Sequence, residues 1–183
     1  MSDELVIRHC SPTLAGLKTG NLFVCPYSDK EELLTAVRSL NRRLVPKGVR
    51  AVPLRMSGGK VLLYIYRPGM LKNDLTVEEA AGILDEYGYS LDNPEKCIVR
   101  LRGRLGENRE FPHEIGLFLG YPPEDVRGFI ENRAGGYKCV GCWKVYGDEE
   151  GAKKKFAKYK KCTDVYCSQW AMGKSIERLT VAG

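Results

Sequence analysis

Val49-Arg50-Ala51-Val52-Pro53-Leu54-Arg55-Met56-Ser57-Gly58-Gly59-Lys60-Val61-Leu62-Leu63-Tyr64-Ile65-Tyr66 is the stretch that decides the fold. Two β-rich runs, Val49 to Arg55 and Lys60 to Tyr66, flank Met56-Ser57-Gly58-Gly59. Paired glycines between such runs signal a hairpin, because a tight turn needs positive φ angles that glycine adopts without steric cost. A helix is expected just before this hairpin. Asp29 with Glu32 forms a capping box, and Leu33, Leu34, Val37, Leu40 and Leu44 recur at helical spacing until Pro46 and Gly48 stop them.

Further upstream, Leu22 to Cys25 reads as a strand ending at Pro26, and Leu5 to Arg8 as a short strand. Ser11 then caps a helical turn with Pro12 at its first position. Downstream, Thr76 and Glu79 form a second capping box, with Ala80, Ile83, Leu84 and Tyr87 on the inner face. Pro94 opens a segment with Ile98, Leu101 and Leu105 at helical spacing, although alternation around Cys97 also suits a strand. His113 to Leu119 reads as a short helix closed by Gly120, and Pro123-Glu124-Asp125 starts another. Trp143 to Tyr146 is strand-like, a long helix begins near Asp148, and Ile176 to Val181 reads as a last strand. In that long helix Ala152, Phe156, Tyr159, Thr163, Tyr166 and Trp170 share a stripe, with Lys154, Lys158 and Lys161 opposite. These elements predict a mixed α/β (α+β) fold of one domain over residues 1–183, a small sheet with a hairpin covered by several helices.

Composition bounds the function. The 183 residues are 43% hydrophobic and 28% charged, ordinary for a globular protein. The longest clean apolar stretch, Val61 to Tyr66, is strand-sized, far short of the roughly 18 residues of a membrane helix. Met1-Ser2-Asp3-Glu4 lacks the basic-then-apolar pattern of a signal peptide, so a cytoplasmic protein with no membrane partner is expected. Seven cysteines, an odd number, then read as thiols, ligands or redox groups. A net charge of +6 permits an acidic partner without requiring one.

Three motifs carry a family resemblance: Cys10-Ser11-Pro12-Thr13-Leu14-Ala15-Gly16, the central Phe111-Pro112-His113-Glu114-Ile115-Gly116-Leu117-Phe118-Leu119-Gly120-Tyr121-Pro122, and Trp143-Lys144-Val145-Tyr146. With them the chain resembles, over nearly its whole length, the bacterial domain-of-unknown-function family numbered 3793. The resemblance implies a compact one-domain protein of bacterial, anaerobic origin in an iron or redox context. It implies no activity and names no cofactor.

The residues themselves offer three sites. If Ser11 and Pro12 open a helix, the Cys10 thiol sits at a helix N-terminus, where the macrodipole favours thiolate. A catalytic cysteine needs a histidine, and the chain has two. His113, with Glu114 beside it to orient the ring, is the sharper partner, because His9 adjoins Cys10 and points the other way in an extended chain. Against this stands a plain structural role, with Cys10 a small buried residue and His113 bonding backbone. The second site is Cys139-Val140-Gly141-Cys142 followed by Cys162 and Cys167, four thiols with zinc or iron–sulfur ligand types. Five residues apart on one helix, however, Cys162 and Cys167 diverge by about 140° unless the helix breaks between them. The CxxC alone also has the spacing of a redox pair. The third site is basic: Lys153, Lys154, Lys155, Lys158, Lys160 and Lys161 with Arg100, Arg102 and Arg104 attract phosphate, yet their aromatics face the core, which favours a solvated surface over nucleic acid.

The expectation from sequence is thus a thiol-dependent enzyme with Cys10 as nucleophile and His113 as base. A non-catalytic metal-binding or iron–sulfur protein on Cys139, Cys142, Cys162 and Cys167 is the alternative, and a basic binding module is the third.

Overall fold

The chain is described by a computed structural model covering residues 2–107 and 111–183. It is mixed α+β, and it falls into two compact units, residues 1–70 with 161–183 and residues 71–160.

The first unit is organised by the hairpin. Strand β1 (Gly20–Pro26), β2 (Arg50–Ser57) and β3 (Lys60–Tyr66) form an antiparallel sheet in the order β1-β3-β2. Gly58 and Gly59 turn the hairpin at φ of 56° and 70°, the two positive values its two-residue loop requires. Because β2 is an edge strand, Pro53 is tolerated where a central strand would lose a ladder bond, and the register slips between Pro53 and Arg55. Phe23, Cys25, Ala51, Val61, Leu63 and Ile65 share one face and join the core; on the other face Tyr64 stacks on Tyr66.

Two helices supply the rest of that core. In α2 (Lys30–Leu44), the Asp29 carboxylate accepts from the Glu32 N–H at 2.6 Å, and Leu33, Val37, Leu40 and Leu44 are buried. A 3-10 turn over Val45–Lys47 ends at Gly48, φ 74°. The N-terminal segment corrects the sequence reading. It forms one helix, α1 (Asp3–Leu14), capped by Ser2, rather than a strand followed by a turn starting at Pro12. Val6, Ile7, Cys10 and Leu14 lie on its buried face, the helical repeat that a four-residue window misses. Pro12 lies inside the helix, where it cannot donate to the carbonyl of Arg8, an exposed residue. Gly16, φ 71°, then lets the Leu17 N–H close back on the Pro12 carbonyl at 2.8 Å.

The second unit is mainly helical: α3 (Pro68–Leu75, entered from the first unit), α4 (Glu78–Glu86), α5 (Pro94–Glu107), α6 (Ile115–Phe118) and α7 (Pro123–Glu131). Helix α3 was not expected. Thr76 does not cap α4; its hydroxyl donates to the Lys72 and Asn73 carbonyls and closes α3 instead. Strands β4 (Cys139–Val140) and β5 (Lys144–Val145) pair as a small hairpin. The long α8 (Glu149–Ala171) runs unbroken out of this unit into the first. After it, the expected last strand is instead the short helix α9 (Ile176–Leu179), whose Ile176 and Leu179 enter the first unit's core.

Candidate functional site

The seven cysteines separate by exposure. Cys10, Cys25 and Cys97 are buried, Cys139, Cys162 and Cys167 half-buried, and Cys142 exposed.

Cys10 lies in the interior of α1 and not at a helix start, so the macrodipole argument for its thiolate does not apply. The side chain is fully buried in the first unit's core, and burial pushes the thiol well up, opposed only in part by the charge of nearby Lys18. A nucleophilic thiol needs access and a lowered pKa, and Cys10 has neither. His113 belongs to the second unit, is exposed, and meets the Phe129 ring edge-on at 4.8 Å between centroids. Glu114 is 1% exposed and already engaged: it accepts from the Tyr89 hydroxyl at 2.8 Å and from the Arg104 Nε at 2.5 Å. Burial, then the Glu114 charge, pushes the Tyr89 phenol up, so it remains a donor throughout the ordinary pH range. Arg104 in turn lies over the Tyr87 ring at 4.7 Å, which removes it from the solvated face expected of it. Glu114 therefore ties α5 to α6.

The late cysteines are placed differently. Cys162 and Cys167 lie on the continuous α8, so their side chains leave the axis about 140° apart. Among the described residues, no group of three or more His, Cys, Asp or Glu side chains is placed to hold a metal ion. The lysines of α8 are exposed, and Lys153 pairs with Glu149 at 2.6 Å.

Cys139 and Cys142 share the β4-β5 hairpin, Cys139 on a strand and Cys142 in the three-residue connection. This connection is held from several sides. Gly141 lies so close to Phe156 that a Cβ there would come within 2.2 Å of Cδ2, so only glycine fits. Trp143 is buried with its indole edge-on to Phe156 at 4.5 Å and stacked with Tyr121 at 4.7 Å. The Tyr121 hydroxyl donates to the Cys142 carbonyl at 3.2 Å; burial first, and then the Cys142 sulfur, pushes this phenol to about 12. The deepest anchor is Asp125, in the first turn of α7 and 3% exposed. Its carboxylate accepts from the Trp143 indole N–H at 2.6 Å and from the Tyr146 and Gly147 amides at 2.7 and 2.8 Å. Lys153, on the first turns of α8, lies near enough to Cys139 for their charges to interact.

Sequence reasoning found the CxxC and the acid at the start of α7, but not their connection. Asp125 reads as a helix-start acid like any other; a tryptophan and a strand end 18 to 22 residues away give no local sign of needing it.

Fold and site define a small α+β protein that presents a cysteine pair on an anchored hairpin. The chain belongs to the family described as protein of unknown function (DUF3793), which matches residues 6–180. No curated protein and no solved structure matches it. Among the described residues no helix is long and apolar enough to cross a membrane.

Proposed function

We propose that the protein acts through a dithiol, Cys139 and Cys142, which exchanges with a disulfide carried by a partner molecule. One observation carries this reading: an exposed thiol and a half-buried thiol, with two residues between them, share one anchored hairpin turn. Access decides which sulfur attacks in thiol–disulfide exchange, so Cys142 is the attacking residue and Cys139 the resolving one.

The steps balance. The Cys142 thiolate attacks one sulfur of the incoming disulfide; that S–S bond breaks, and the departing partner thiolate takes up a proton from water. The Cys139 thiolate then attacks the Cys142 sulfur in the mixed disulfide and expels the second partner thiol. The protein's pair loses two electrons and two protons, and the partner's disulfide gains them. Buried and pushed toward its neutral form, Cys10 has no part in this chemistry.

The test uses the reduced full chain, hydroxyethyl disulfide as oxidant, and alkylation followed by peptide mapping. A Cys139–Cys142 disulfide should form while Cys10, Cys25 and Cys97 stay reduced. Cys139→Ser should stop at a mixed disulfide on Cys142. If both residues stay alkylatable after treatment, or if the mixed disulfide settles on another cysteine, the proposal fails.

A further inference from the structure

Gly141 and Trp143 fix where the cysteine hairpin sits. A Cβ on Gly141 has no room against the Phe156 ring, and the Trp143 indole meets the same ring edge-on at 4.5 Å. The hairpin therefore lies on the Phe156 face of α8, within the second unit. Around Phe156 that helix has two different flanks. Ala152 and Tyr159, four residues before it and three after, are buried. Lys153 and Lys160, three residues before it and four after, share the other flank and are exposed. The two cysteines divide between these flanks. Lys153 and Cys139 are close enough for their charges to interact, while the Tyr159 phenol is pushed up by burial first and then by the Cys142 sulfur.

Charge around the dithiol is one-sided. Residues 132–147, the hairpin and its approaches, carry Arg133, Lys138 and Lys144 and no acid, and residues 151–160 of α8 carry five lysines and no acid. Lys138, beside Cys139 in the chain, donates to the Gly147 carbonyl at 2.7 Å, a neutral partner that leaves its charge in place. Two acids reach the flanks: Glu149 pairs with Lys153 at 2.6 Å, and Asp74 stands near the Tyr159 phenol. They offset part of the excess. Lys138 and Lys160, both exposed, still give an incoming group a positive surface to meet.

Resting on the dithiol assignment, we infer that the partner disulfide is anionic, with carboxylates beside its sulfurs that Lys138, Lys153 and Lys160 attract as Cys142 attacks. The Cys139–Cys142 bond forms, the partner's S–S bond breaks, and two electrons and two protons pass to it, so that two carboxylate-bearing thiols leave.

The reduced full chain is treated at neutral pH with three disulfides of similar framework: dithiodipropionate, a dianion; hydroxyethyl disulfide, which is neutral; and cystamine, a dication. Each rate of Cys139–Cys142 formation is divided by the rate of dithiothreitol with the same reagent, which removes differences between the leaving groups. At low salt the normalised rates should fall from dianion to neutral to dication by about threefold or more at each step. The spread should shrink as sodium chloride shortens the Debye length to about 3 Å at 1 M. Variants are compared at about 0.1 M salt, where that length is about 10 Å and near charges dominate. Lys160→Glu should lower the dianion-to-neutral ratio about threefold or more. Lys158→Glu makes the same change of charge about 200° round α8 from Phe156 and should leave most of the ratio in place. Equal normalised rates, a preference for cystamine, an order indifferent to salt, or a ratio that Lys160→Glu lowers no more than Lys158→Glu would each overturn the anionic assignment and leave the dithiol standing. No Cys139–Cys142 disulfide with any reagent would sink the dithiol and this inference with it.

Discussion

Replacing Asp125 with alanine should cost about 3–5 kcal/mol and loosen the cysteine hairpin at the same time. The magnitude follows from what the carboxylate holds. It is 3% exposed and accepts three hydrogen bonds, from the Trp143 indole and from the Tyr146 and Gly147 amides. Hydrogen bonds to a charged group contribute about 1.5–3 kcal/mol each, and a donor left buried without a partner costs about 1–3 kcal/mol. Three such losses are not additive, since Gly147 and Tyr146 share one oxygen and the loosened hairpin can rehydrate. The favourable position of the charge in the first turn of α7 adds about 0.3–1 kcal/mol. Asp125→Asn should lose less, because one oxygen survives for the two amides while its new N–H₂ group confronts the Trp143 indole N–H. Urea unfolding measures the stability, and native-state alkylation of Cys139 measures the hairpin. The alanine variant should label Cys139 markedly faster. A loss below about 1 kcal/mol with unchanged labelling would refute the anchoring role.

Gly141→Ala places a Cβ about where the Phe156 ring lies, and it should destabilise the protein by about 1–3 kcal/mol in the same unfolding assay. Cys10→Ser puts a hydroxyl into the first unit's core at a cost of about 1–3 kcal/mol while leaving disulfide exchange unchanged; Cys10 in the native protein should resist iodoacetamide until the chain unfolds. Glu177 is held below its ordinary value of 4.5 by its own backbone N–H first, then by Ser175 and Arg43. A depressed carboxyl stabilises the fold above its unfolded value and ceases to do so as pH falls through the lower folded value. Glu177→Gln should therefore cost under about 1 kcal/mol at neutral pH, and the difference should vanish in acid melts below that range.

Parts of this molecule were legible in the sequence wherever a local rule sufficed. The Gly58-Gly59 turn fixes the hairpin, and the Asp29-Glu32 box fixes the start of α2, because each acts within a few residues. The helical stripe of α8 follows from periodicity alone. The failures came where tertiary burial outweighed a local signal. Pro12 reads as a helix start, yet burial of Val6, Ile7, Cys10 and Leu14 carries α1 straight through it. Thr76 fits a capping box, yet its hydroxyl turns back to α3. The same limit governs the sites. The CxxC was visible, but spacing carries no information about exposure, and exposure is what separates Cys142 from Cys10.

The dithiol assignment meets its most direct test in a redox titration of the full chain against glutathione buffers, read by alkylation and mass mapping of the peptide that carries Cys139 and Cys142. One two-electron transition is expected, about 30 mV per tenfold change in the oxidised-to-reduced ratio, with both residues protected together and the other five cysteines still titrating as thiols. Separate one-thiol glutathionylation of Cys142 with Cys139 left free at every potential would contradict it.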